Sequence, residues 1–98
     1  MEKLLADLNT QLQLLNFTKD KSEGIIAKGN VEGVERQLQS LRSIVTRVEE
    51  FKLQIEQTKI ANGEKLEDVS QWSLTVEAAQ TSADENVTYL RKDRKSVV

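Results

Sequence analysis

The sequence predicts an all-α protein: an antiparallel up-down-up three-helix bundle with coiled-coil-like packing. Three observations point there. The 98 residues include no proline and only four glycines, too few chain-breakers for a loop-rich fold or a β-sandwich. Apolar residues recur at alternating three- and four-residue steps along three long runs, the spacing that returns a side chain to one helix face. Two short segments, Gly29-Asn30 and Asn62-Gly63, separate those runs.

The first helix is expected over about 2–28. Leu5, Leu8, Leu12 and Leu15 mark its stripe, and Ile26 falls in register after polar Lys19 and Ser22. The stripe weakens through NFTKDKSEG, so fraying or a kink is expected near 18–24, where Gly24 inside a helix costs ~1 kcal/mol relative to Ala. At the first corner, Gly29 suits the left-handed position just past a helix end, and Asn30 is a favoured N-cap. Glu32 and Glu35 then set negative charge at the positive end of the next helix.

The second helix is expected over about 31–60. Val34, Leu38, Leu41, Val45, Val48 and Ile55 keep a four–three spacing, with Lys52 taking one seam position. Ile44 and Phe51 widen this face, so the helix is expected to pack against two neighbours. Asn62-Gly63 would signal a hairpin if its flanks alternated with period two. They do not, and the pair reads as a helix C-terminus with Lys59 in the last turn.

The third helix, about 64–92, opens on Glu64, Glu67 and Asp68, which complement its dipole. Its seam is Leu66, Val69, Val76, Ala83, Val87 and Leu90, flanked by Trp72 and Ala79 and interrupted by Ser73 and Gln80. Packing is expected to loosen near 78–86. The domain is placed at 1–92, followed by a basic tail at 93–98. Helices of about 28 residues span ~42 Å, and short corners between them make sequential helices antiparallel neighbours. The alternative is an open hairpin that completes its core only by dimerising. The polar seam residues Lys19, Ser22, Lys52, Ser73 and Gln80 speak for it.

Composition bounds the chemistry. Cys and His are both absent, which excludes disulfides, thiolate or imidazole metal sites, and His- or Cys-based catalysis. A formal charge of −2 argues against broad attraction to nucleic acid. No apolar run approaches the ~20 residues of a membrane span. The opening MEKLLADLNTQLQLL, broken by Glu2 and Asp7, does not read as a signal peptide, and a cytoplasmic location is expected. The acid pairs Glu49-Glu50 and Glu67-Asp68 diverge by ~100° on a helix and do not face one another. The Gly24, Gly29 and Gly33 pattern has neither the strand nor the Gly-Lys-Ser/Thr of a phosphate loop. Asn16-Phe17-Thr18 and Asn86-Val87-Thr88 match the glycosylation acceptor pattern, yet both fall inside expected helices and read as chance matches. The expectation is therefore no enzyme, no cofactor, no metal and no small-molecule substrate.

What remains is a protein partner or self-association. Trp72 is the single tryptophan, a residue type that anchors interfaces; the simpler account is that it closes the corner end of the core against Phe51 or Ile55. Ser96 and Val98 form the minimal pattern for capture of a C-terminal peptide by a PDZ-type groove. The basic residues of RKDRKSVV could instead contact phosphates or acidic lipid, although such tails more often solubilise a terminus. Trp72, Ser96 and Val98 are the candidate partner-binding residues.

The stretch EGIIAKGNVEGVERQLQSLRSIVTRVEEFKLQI, followed by EKLEDVSQWSLTVEAA, resembles the N-terminal helical segment of Gag-like polyproteins from BEL/Pao-type retrotransposons, over about residues 17–92. The resemblance implies self-association or scaffold formation, with nucleic-acid binding carried elsewhere, and transfers no site residues. The architecture also resembles a spectrin-type repeat in a generic way, but such a repeat expects Trp early in its first helix, where this chain has Leu and Gln. The function expected is a non-enzymatic helical interaction or self-assembly module. The alternative is a monomeric adaptor or spacer that docks a partner through its tail or the Trp72 corner.

Overall fold

The computed structural model describes the backbone of residues 1–97 and the side chains of residues 1–92. The chain is all-α: α1 is Glu2–Asp20, α2 is Ser22–Ala27, α3 is Val31–Ala61 and α4 is Leu66–Val97. No strand occurs among the described residues. The first expected helix is thus divided into α1 and α2 by a turn at Lys21. A side chain from elsewhere accounts for the break: Gln37 Nε2 donates to the Thr18 carbonyl at 2.5 Å. That oxygen also accepts from Lys21 N–H at 3.2 Å. Insertion of an outside donor into the carbonyl ladder is a recognised cause of helix kinks.

Both corners follow the chemistry of their residues. Gly29 has φ 66°, and Asn30 is the N-cap of α3, its side chain accepting from Glu32 N–H and Gly33 N–H. At the second corner Gly63 has φ 83°. Its N–H bonds to the Ile60 carbonyl at 3.0 Å, and Glu64 N–H bonds to the Lys59 carbonyl at 3.1 Å. That pair of bonds is the Schellman arrangement, which closes the carbonyls left open at a helix end.

Buried apolar side chains recur at seven-residue steps: Leu8 and Leu15 on α1, Val34, Leu41, Val48 and Ile55 on α3, and Val69, Val76, Ala83 and Leu90 on α4. Two expected seam positions fall outside. Leu5 is 37% exposed and Leu66 is 68% exposed. On α1 the seam passes instead through Leu4, which packs against the core cluster. On α4 the seam begins one turn later, at Val69, because Leu66 is the first residue of the helix.

Polar contacts between helices give their relative register. Glu49 meets Gln80, Lys52 meets Glu77 and Glu56 meets Ser73, so partner numbers fall along α4 as they rise along α3. Thr18 meets Gln37 and Gln11 meets Arg47, the same inverse drift between α1 and α3. Lys19 meets Ser82 and Ser22 meets Asn86, which rise together. The molecule is a rod of 52 × 22 × 15 Å, as helices of this length require at ~1.5 Å per residue. Among the described residues, no helix is long and apolar enough to cross a membrane.

Candidate interaction surface

The polar seam residues are the first place to look for a site, because burial of an unpartnered polar group is costly. Each has found a partner. Ser22, 1% exposed, donates to Asn86 Oδ1 at 2.6 Å and accepts from Gln37 Nε2 at 3.0 Å. Lys19 Nζ lies 2.5 Å from Ser82 Oγ. Gln80 Nε2 donates to Glu49 at 2.7 Å, and the Ser73 hydroxyl donates to Glu56. Lys52 Nζ sits 3.5 Å from Glu49 and 3.4 Å from Glu77. Burial alone would lower the Lys52 pKa, but Glu49, Glu77 and Glu56 together outweigh it and hold the ammonium above its ordinary range. Among the described residues no buried side-chain nitrogen or oxygen lacks a partner.

Trp72 is half-buried and packs against the apolar cluster. The Lys59 ammonium lies 5.4 Å from its ring centroid, within cation–π range, and the same ammonium is 3.4 Å from Glu64. Its placement is that of a lid on the corner end of the core. The side chain of Ser96 and the whole of Val98 lie outside the described residues. Of the two acceptor-pattern asparagines, Asn16 is exposed, while Asn86 is half-buried and accepts from Ser22.

The exterior carries two features that the sequence reading passed over. Two adjoining clefts run between α1–α2 and α3, sharing Arg36 and Ser40. Lys28, Arg36 and Arg47 line them, and no carboxylate does. Arg36, Ser40, Ser43 and Arg47 were legible as a stripe, since steps of four, three and four share one helix face, but in a chain of negative net charge they drew no notice. The second feature is the α3–α4 corner. There Leu66 stands 68% exposed and Ile60 51% exposed, beside Glu64 and the first-turn acids Glu67 and Asp68 of α4.

These groups are suited to binding. Exposed guanidinium and ammonium groups form charge-assisted hydrogen bonds to carboxylates, and an exposed Leu supplies area to an interface. Among the described residues no cluster of three or more acids is placed to hold a metal ion. Comparison with protein-family models, with curated proteins and with solved structures finds no match for this chain.

Proposed function

We propose that the chain is a non-enzymatic protein–protein interaction module that closes its own core and meets its partners through its exterior. In this reading it is an antiparallel up-down-up three-helix bundle with coiled-coil-like packing. The opposed drift of partner numbers between α3 and each neighbour, and the seven-residue step of the buried side chains, support that architecture. Its partners are proteins, including copies of itself, and it works in the cytoplasm without cofactor or small-molecule substrate. The Gag-like resemblance belongs to the same proposal: in a particle-building polyprotein such a segment would serve as a scaffold.

One observation carries the reading. The polar residues on the seams are all paired within one chain. A hairpin of α3 and α4 awaiting a second copy would leave Ser82 and Asn86 without the Lys19 and Ser22 that meet them from the same chain. The adaptor or spacer alternative shares the closed core and differs only in where a partner docks; the half-buried seat of Trp72 makes that residue a core lid first.

Circular dichroism melts at about 1 M salt, over a ~100-fold range of protein concentration, test the closed core, because shared folding makes the midpoint concentration-dependent even where contacts between charged exteriors are screened. The expected result is one midpoint throughout. A midpoint that climbs with concentration would mean that the stripes are shared between chains, and would overturn the reading.

A further inference from the structure

Charge is unevenly distributed along the rod. Carboxylates outnumber cations at the α3–α4 corner, where Glu64, Glu67 and Asp68 stand against Lys59 and Lys65 in the segment that carries exposed Leu66. Toward the α2–α3 corner the two clefts beside α3 hold Lys28, Arg36 and Arg47 with no carboxylate in their lining, while Asp20 lines a third cleft that shares Lys28. Neither Lys28 nor Arg36 forms an ion pair among the described residues, and neither Glu67 nor Asp68 does. The cleft lining also includes apolar Ile25, Leu14 and Ile44, of which Leu14 is 36% exposed.

We infer that the basic α1–α3 cleft receives the acidic α3–α4 corner of a second copy of this chain. Glu67 and Asp68 of one copy meet Arg36, Arg47 and Lys28 of the next, and Leu66 covers the apolar part of the cleft. The occupant is chosen on charge complementarity: the chain carries both halves of the contact on opposite halves of one rod. Two carboxylates against three cations make a contact that opposite signs steer and that the wrong pairing, corner to corner, repels. Because the two surfaces differ, the contact is heterologous and repeats head to tail, giving an open chain unless the rotation between copies closes a ring. The inference rests on the closed core proposed above, since only a chain that keeps its own stripes buried presents both surfaces.

Sedimentation equilibrium on the full chain tests it, at about 0.01 M and about 1 M salt, between which the screening length falls from ~30 Å to ~3 Å. Expected is association that grows with concentration at low salt and weakens at least ~10-fold at high salt. Two double variants separate the halves: Arg36→Gln with Arg47→Gln, and Glu67→Gln with Asp68→Gln. All four positions are exposed, and circular dichroism verifies that each variant is folded. Alone, each variant should stay monomeric. Mixed, they should give a one-to-one heterodimer that grows no further, because only one intact cleft and one intact corner remain between them. A wild-type chain that is monomeric at low salt, or variants that associate as wild type does, would sink the inference while leaving the closed core standing. Failure of the closed core reads out separately, as a salt-insensitive oligomer whose melting midpoint rises with concentration.

Discussion

Lys52 shows what a charge on a seam can do. Its side chain is 9% exposed, whereas its partners Glu49 and Glu77 are 43% and 47% exposed. The ammonium is therefore enclosed while the carboxylates remain partly solvated, and screening keeps the pair weak in isolation. The larger role is selective: a buried cation fits only the register that brings carboxylates to it. The folded chain holds Lys52 above its ordinary pKa of 10.5. By linkage, that contribution is fully present below 10.5 and is lost as the pH rises through the higher folded value. Lys52→Met should therefore be less stable than wild type at neutral pH, with the gap narrowing in strongly alkaline solution. Urea unfolding of both proteins across that range checks it, and a gap independent of pH would refute the assignment.

At the scale of elements, the glycines separate corners from helices. Gly63 holds φ 83° in the Schellman turn that ends α3. A side chain there is strained whatever the surrounding space, so Gly63→Ala should cost ~1 kcal/mol or more. Gly24 lies within helical α2, and a Cβ added there meets nothing within 4 Å. Gly24→Ala should stabilise by ~0.4–1 kcal/mol, chiefly by restricting the unfolded chain. Denaturant titration of the two variants should give shifts of opposite sign; equal signs would contradict the conformations assigned to these glycines. α2 is the less anchored element. It has six residues, of which only Ser22 is buried, whereas α3 buries eight side chains along 31 residues.

For the whole molecule, α3 is the shared wall. Gln37 reaches α1 and α2 from one flank of α3, while Lys52 and Glu56 reach α4 from the other. With both neighbours depending on one helix, local loss propagates and unfolding should be all-or-none. Trp72 offers a direct test as the single tryptophan, because it packs on the core at the α3–α4 end. Its fluorescence and the helical signal at 222 nm should share one midpoint in urea. A separate, earlier fluorescence transition would mean that the corner end opens by itself.

The sequence by itself determined the all-α class, the broad face of α3 and both corners. Each of these depends on local chemistry: helical spacing, positive φ at Gly29 and Gly63, and the side-chain cap from Asn30. It also marked the weak stretch near 18–24. Only the tertiary structure decided which polar seam residues pair with which. Lys19 and Ser82 are 63 positions apart in the chain, and Ser22 and Asn86 are 64 apart, so no local pattern connects them. Gln37 lies beside Leu38 on the buried face, yet nothing near it in sequence reveals that it takes the Thr18 carbonyl and breaks the first helix. The basic cleft was missed for the same reason: the stripe on α3 is visible in the chain, but its freedom from carboxylates depends on what α1 and α2 bring beside it. Periodicity states which residues turn inward, and the approach of distant segments decides what they meet.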